Sequence, residues 1–176
     1  SVDSYVDTAW AYIRGLEKRV AEGKDISKIS SVASFFLSRI DSKIDGKIDD
    51  KLAQGVDDIN LEAKLKSVKG KVAIANAKIA YQEYKKIIND KRWQALTEKG
   101  AKVQRLLWAS TSTKDPSYSE VMYVDELIGK ETVNTLPPVT IEACADHCDV
   151  ESRVETDVEA AYKLIESLKD PDINID

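Results

Sequence analysis

The sequence predicts an α/β fold in which three short parallel strands alternate with helices. Two observations favour it: three short apolar runs typical of buried strands, and amphipathic helical patterns between consecutive runs. The 176-residue chain is 43% hydrophobic and 32% charged, which suffices for the core of one domain. Three strands alone would leave two bare edges, so we expect them to belong to a larger sheet or barrel.

The three strands are predicted at residues 32–38, 105–110 and 133–136. The first run is almost continuously apolar, a pattern typical of a strand that is buried on both faces. Because side chains alternate along a strand, Ser34, Phe36 and Ser38 should point to one side of it. We expect the strands to be adjacent in chain order, with the helices on one side of the sheet.

Helices are predicted wherever apolar side chains recur at three- and four-residue steps. The first covers residues 4–20, and Ser4 with Asp7 resembles a capping box at its start. Thr140 is expected to cap a later helix. The remaining helices are predicted at 41–56, 70–89, 91–99, 117–127, 140–148 and 154–168. Residues 41–51, rich in Asp and Lys, are interpreted as a solvated helix face, and residues 170–176 as a frayed tail.

Charge and composition exclude several classes of protein. With 26 Lys and Arg against 31 Asp and Glu, the net charge is −5, and no basic stripe for nucleic acid is expected. No charge-free run exceeds ten residues, whereas a membrane-spanning helix needs about twenty apolar residues. The first twenty residues are charged throughout and resemble no signal peptide, so we expect a cytoplasmic location.

The two cysteines lie in one short segment, Cys144–Cys148, which also contains Asp146 and His147. Two cysteines are too few for a disulfide framework, so we expect them to be small core residues in a reducing cytoplasm. A zinc site usually takes two separated ligand pairs. The chain offers no second pair, so we expect no metal and place His147 at the surface.

Candidate binding residues follow the first two predicted strands, where parallel α/β folds carry their sites. Arg39 could bind phosphate through its fork of donors, or pair with an aspartate on the next helix. Four hydroxyl residues at 110–113 precede Lys114. This loop suits sugar hydroxyls or a phosphate oxygen, or it is a simple turn of Ser and Thr residues before Pro116, with Lys114 in water.

Five segments in order along the chain resemble transaldolases, in particular the branch found in cyanobacteria, plants and actinobacteria. They are ISKISSVASFFLSRID at 26–41, VAIANAK at 72–78, RLLWASTSTKDP at 105–116, YVDELIG at 123–129 and TVNTLP at 132–137. The resemblance implies a TIM (β/α)8 barrel. Residues 1–176 would then be the C-terminal half-barrel of that single domain, containing strands six to eight and their flanking helices.

The resemblance also implies an activity. Transaldolases transfer a dihydroxyacetone unit from sedoheptulose 7-phosphate or fructose 6-phosphate to glyceraldehyde 3-phosphate or erythrose 4-phosphate, in the pentose phosphate pathway. A lysine forms a Schiff base with the donor ketone, and no metal or organic cofactor takes part. That lysine belongs to strand four and the acid/base carboxylates to strands one and three. No residue of this chain matches them, so we expect the chain alone to be inactive.

The substrate-binding residues implied by the resemblance are Ser34, Phe36, Arg39, Ser110 and Lys114. Arg39 matches the position of the phosphate ligand. Other branches carry an arginine two residues after Ser110, where this chain has Ser112, so the second positive role is assigned to Lys114. We expect Arg39 and Lys114 to lie close enough to share one phosphate.

A second hypothesis stays open at this point. The chain could be a non-catalytic half-barrel that serves as a structural or sugar-phosphate-binding module and is completed by a partner. The two hypotheses share the strand-end residues, and they differ in whether a Schiff-base lysine joins them.

Overall fold

A parallel three-stranded sheet lies at the centre of the fold. The structure is a computed structural model that describes residues 1–169 and 171–175. Within these ranges the strands are β1 (Ser31–Phe36), β2 (Gln104–Ala109) and β3 (Thr132–Asn134). They pair in the order β1-β2-β3, and both pairs are parallel. The predicted strand order and direction are therefore confirmed.

Helices precede, connect and follow the strands. They are α1 (Val2–Ala21), α2 (Ser38–Ala53), α3 (Ile59–Val68), α4 (Val72–Ile88), α5 (Lys91–Thr97), α6 (Met122–Asp125), α7 (Pro138–His147) and α8 (Val158–Ser167). Helix α3 was not predicted. It begins after Asp58, whose carboxylate accepts a hydrogen bond from the Asn60 N–H at 2.9 Å and so caps the first turn.

Two predicted helix caps are wrong. Helix α1 begins at Val2, and the Ser1 hydroxyl accepts the Ser4 N–H at 3.2 Å, so Ser1 takes the role expected of Ser4. Helix α7 begins at Pro138, a residue that suits the first helical position because its missing N–H needs no partner there. Thr140 consequently lies inside the first turn of α7, where it is buried.

The helices cover one face of the sheet. Ala33 and Phe35 of β1 pack with Trp108 of β2 in the main core, which also contains residues of α1 and α4. The Phe35 and Trp108 rings meet edge to face with their centroids 6.0 Å apart. Helices on one side of the sheet were predicted, and this packing confirms them.

The opposite face of β1 is open. Val32, Ser34 and Phe36 are exposed on it, and Phe36 retains 43% of its accessible surface. The prediction that β1 is buried on both faces is therefore wrong for this chain, because the described residues cover only the helix side. We call Val32, Ser34 and Phe36 the open face.

A second apolar cluster joins α2, α3 and the C-terminal tail. It contains Ile44, Ile48, Leu65, Val68, Val72, Leu168 and Ile173. Ile173 is only 6% exposed, and Lys47 Nζ donates to the Asn174 carbonyl at 2.7 Å. The predicted frayed tail is thus wrong for residues 171–175, because Ile173 packs into this cluster. Residues 170 and 176 of that prediction lie outside the described residues.

None of the helices within the described ranges is long and apolar enough to span a membrane.

Candidate functional site

The carboxyl ends of the three strands lie side by side. Beyond the last residues of β1 and β2, the Leu37 N–H donates to Ala109 and the Ser38 N–H donates to Ser110, each at 2.9 Å. The Thr135 N–H donates to the Trp108 carbonyl at 3.1 Å, which joins the end of β3 to β2. The segments that follow the three strands therefore start from one end of the sheet, as expected for parallel strands.

Arg39 lies in the first turn of α2 with its guanidinium 4.9 Å above the centre of the Phe36 ring. This cation–π contact orients the guanidinium next to the open face. In the part of the chain that the structure describes, Arg39 forms no ion pair. The alternative that it pairs with an aspartate of the next helix is therefore wrong, and its donors are free for an anion.

Ser38 and Ser110 connect the ends of β1 and β2. Their hydroxyl oxygens lie 2.8 Å apart, and Ser38 is buried at the start of α2. Ser110 has a φ of 56°, in the left-handed region, where the chain leaves β2. Two hydroxyls that share one hydrogen bond retain one unused proton. The half-buried Ser110 side could therefore donate to a ligand oxygen without breaking the link to Ser38.

Two other hydroxyls of this loop stabilise the fold. Thr111 is fully buried and donates to the Thr135 carbonyl at 2.9 Å, while Thr113 donates to the Ser119 carbonyl at 2.8 Å. Both bonds hold the loop after β2 in a fixed shape. The simple-turn interpretation of residues 110–113 is wrong for these two threonines, because Thr111 bonds to the residue after β3 and Thr113 bonds six residues further along the loop.

Lys114 stands on a tight turn of the same loop. Its ammonium is exposed and donates to the neutral Ser112 hydroxyl at 2.8 Å, with no carboxylate partner among the described residues. The turn is made by Asp115, which accepts the Ser117 N–H at 2.8 Å and the Ser117 hydroxyl at 2.7 Å. These two bonds lower the pKa of Asp115. We call Arg39 and Lys114 the strand-end cations.

A row of carboxylates on α2 lies beside the loops. Asp41, Asp45 and Asp49 are four residues apart and so share one side of the helix; we call them the aspartate row. Asp41 is only 2% exposed, accepts the Ala73 N–H at 2.8 Å and accepts the Tyr123 hydroxyl at 2.5 Å. Burial raises the pKa of Asp41 and, together with the bond to Asp41, that of Tyr123.

The other two members of the aspartate row also have partners. Asp45 accepts the Gly70 N–H at 3.0 Å with one oxygen and the Tyr118 hydroxyl at 2.9 Å with the other. Asp49 pairs with Lys69 at 2.6 Å. The interpretation of residues 41–51 as a solvated face is therefore wrong for Asp41 and Asp45, whereas Asp49 is exposed as expected. The four-residue spacing of its aspartates was the available sequence signal.

The Cys144–Cys148 segment differs from its prediction. The two cysteines form a disulfide rather than free core thiols, and both are half-buried. Helix α7 ends at His147 and the backbone of Cys148 is extended, which brings the two Cα atoms to 4.4 Å, within disulfide range. The disulfide removes both thiolates as ligands, and among the described residues no group of three ligating side chains could hold a metal.

His147 is an exposed surface residue, as predicted. Its Nε2 lies 3.2 Å from a Glu120 carboxylate oxygen and its Nδ1 lies 3.1 Å from an Asp146 oxygen. Glu120 closes the loop that carries Lys114, so His147 connects the end of α7 to that loop.

The fold and these strand-end groups define a parallel α/β protein with a candidate anion site beyond the carboxyl ends of two neighbouring strands. The family model described as transaldolase/fructose-6-phosphate aldolase matches residues 1–176, and the chain belongs to this family. The resemblance identified in the sequence is thereby confirmed.

Curated relatives carry the same family name. Transaldolase 2 of a Nostoc species is 81% identical over 176 residues, which cover 100% of this chain and 46% of that protein. The transaldolase of Trichodesmium erythraeum is 72% identical over 99% of this chain and 46% of its own length. The transaldolase of Saccharopolyspora erythraea is 42% identical over 100% of this chain and 45% of its own. The chain spans about half the length of these relatives.

Proposed function

We propose that this chain is the phosphate-binding half of a transaldolase, with β1, β2 and β3 as strands six to eight of a TIM barrel. The whole enzyme transfers a dihydroxyacetone unit from a ketose phosphate to an aldose phosphate in the cytoplasm. The observation that carries the proposal is the placement of two cations without carboxylate partners after adjacent parallel strands, with Arg39 in the first turn of α2 and Lys114 in the loop after β2. Membership of the family supports the reaction.

Each site residue has a distinct role in this proposal. The Arg39 fork binds two phosphate oxygens, and stacking on Phe36 limits the conformations that it must give up on binding. Lys114 supplies a second positive charge, and Ser110 donates its spare proton to the ligand. Ser34 and Phe36, on the open face, line the pocket beside the sugar chain.

The Schiff-base lysine comes from strand four of the barrel, outside these 176 residues. Lys78 on α4 is the buried lysine of the described ranges. Its ammonium already has hydrogen-bond partners, so it does not fit the role of the Schiff-base lysine, which supports this assignment. Its ammonium donates to the Thr156 carbonyl at 2.9 Å and lies 3.3 Å from the Glu126 carboxylate. Imine formation needs a lysine that is free to attack.

The proposal is tested in a chimera in which residues 1–176 replace the matching segment of the Nostoc relative. We expect Arg39→Ala to raise the KM for fructose 6-phosphate about ten- to a hundredfold, since a charge-assisted hydrogen bond contributes roughly 1.5–3 kcal/mol. The KM for unphosphorylated fructose should stay unchanged. Arg14→Ala, an exposed arginine on α1, is the matched control. Equal losses for both sugars would mean that Arg39 is structural.

The second hypothesis of the sequence is a non-catalytic half-barrel that binds sugar phosphates and is completed by a partner. No contact among the described residues favours it over transaldolase, which membership of the family supports.

A further inference from the structure

We infer that Tyr118 and Asp45 are positioning residues for Lys114. Their hydrogen bond fixes the loop after β2 against α2, the helix that begins beside Arg39. The inference rests on the proposed function, because it assigns Tyr118 and Asp45 to the phosphate site of that function. Neither residue is offered as a ligand of the phosphate.

Helix α2 fixes the position of Asp45 relative to Arg39. Arg39 and Asp45 are six residues apart on it, which at about 1.5 Å per residue places them roughly 9 Å apart along a rigid axis. A group that is bonded to Asp45 is therefore held at a fixed place relative to Arg39. Asp45 is itself fixed, because one of its oxygens accepts the Gly70 N–H at 3.0 Å.

The other oxygen of Asp45 holds the loop. It accepts the Tyr118 hydroxyl at 2.9 Å. Between Tyr118 and Lys114 the chain makes the tight turn of Asp115, closed by the Tyr118 N–H bond to the Asp115 carbonyl at 3.1 Å. The backbone of Lys114 therefore cannot move far while Tyr118 stays in place.

Gly70 allows the Tyr118 ring to pack closely against the backbone of residue 70. A Cβ atom at residue 70 would lie 2.6 Å from the Tyr118 ring, so the ring occupies the space that any larger residue would fill. Gly70 also has a φ of +69°, which favours glycine. The Tyr118 ring is thus held by packing and its hydroxyl by a hydrogen bond, two contacts that can be removed separately.

A neighbouring tyrosine–aspartate pair shows how a contact that positions a loop differs from one that stabilises the core. Tyr123 and Asp41 repeat the same tyrosine–aspartate bond one turn earlier on α2, but both are buried in the core. Tyr118 is half-buried and belongs to the loop. Loss of its hydroxyl should therefore release the loop and leave the fold intact.

The test uses the chimera with Tyr118→Phe, which keeps the ring on Gly70 and removes only the hydroxyl. We expect the KM for fructose 6-phosphate to rise about three- to tenfold, the effect of one ordinary hydrogen bond. The kcat, the melting temperature and the KM for fructose should not change. Asp45→Asn is the second variant, and Tyr162→Phe, an exposed tyrosine on α8, is the matched control.

A double-mutant cycle decides whether Tyr118 acts through Lys114. In a Lys114→Met background, Tyr118→Phe should change the KM less than about twofold, because coupled residues are not additive. A full additional loss in that background overturns the inference. If Lys114→Met alone weakens fructose 6-phosphate but Tyr118→Phe has no effect, the inference fails and the proposed function stands. If neither Arg39→Ala nor Lys114→Met affects fructose 6-phosphate, the proposed function fails, and the inference with it.

Discussion

The strand-end cations and the aspartate row belong to α2 and the loop bonded to it, and they use their charges in opposite ways. Arg39 and Lys114 are exposed, and neither has a carboxylate partner in the described part of the chain. Each aspartate of the row is bonded to a backbone N–H, a tyrosine or a lysine. Charges that the fold does not compensate are available to a ligand, whereas the paired ones hold the loops in place.

Helix geometry explains how one helix serves both purposes. Arg39 and Asp41 are two residues apart, a turn of about 200° around the helix axis. Arg39 consequently lies beside Phe36 at the open face, while Asp41 is directed into the core toward Tyr123. The charged residues of α2 look uniformly solvated in the sequence, but they lie on two different sides of the helix. Arg39 lies on the side of the candidate site, and Asp41 lies on the side that stabilises the fold.

The largest expected effect is that the strand-end cations form no Schiff base in the chain alone. We expect the 176-residue chain alone to form no imine with fructose 6-phosphate, because an imine needs a free lysine beside an acid/base pair. Borohydride reduction followed by intact mass measures it, and the full-length Nostoc relative serves as the positive control. A stoichiometric sugar-phosphate adduct on Lys114 would refute the prediction and make the strand-end cations catalytic.

The next effect concerns the buried region. Asp41→Ala leaves the Tyr123 hydroxyl and the Ala73 N–H without their partner. We expect a loss of about 3 kcal/mol in the free energy of unfolding, since each buried donor left without a partner costs roughly 1–3 kcal/mol. Urea unfolding of the chain measures it. Asp50→Ala, an exposed aspartate on the same helix, should stay within about 0.5 kcal/mol of the parent. Similar losses for both variants would remove the distinction between the two sides of α2.

A smaller effect is expected at the seat of Tyr118. Gly70→Ala places a Cβ 2.6 Å from the ring in a left-handed backbone, and we expect a loss of about 1–3 kcal/mol in the free energy of unfolding. Gly46 is the matched control, because it lies within α2 and has nothing within 4 Å of an added Cβ. Gly46→Ala should raise stability by about 0.5–1 kcal/mol through helix propensity. Stabilisation by Gly70→Ala would show that Tyr118 is not seated there.

Local patterns predicted the sheet well and the carboxylate contacts poorly. Apolar runs located β1 and β2 within about two residues, because a buried strand imposes its pattern on consecutive positions. The strand-end rule and the family resemblance selected Arg39 and Lys114. The bond between Asp41 and Tyr123 joins residues 82 positions apart, and no local pattern encodes such a pair. The tertiary fold creates it, and likewise the packing of Ile173 against α2.

The smallest expected effect is on the pH dependence of stability. Asp41 of the aspartate row and Asp115 of the Lys114 loop should contribute to it with opposite signs. Burial raises the pKa of Asp41, so its contribution to stability is complete below the unfolded value of about 3.9 and is lost as the pH rises through the folded pKa. Hydrogen bonds from Ser117 lower the pKa of Asp115 in the loop of Lys114. Its contribution is therefore present above the unfolded value and is lost as the pH falls through the folded pKa.

The two substitutions should consequently change the pH dependence of unfolding in opposite directions. Between about pH 3 and pH 7, Asp41→Asn should gain stability relative to the parent as the pH rises, and Asp115→Asn should lose it. Urea midpoints of the parent and of both variants at a series of pH values measure the two slopes. Slopes of the same sign would mean that burial does not determine the direction of the pKa shift of Asp41. The two regions would then differ only in the hydrogen bonds that their charged groups form.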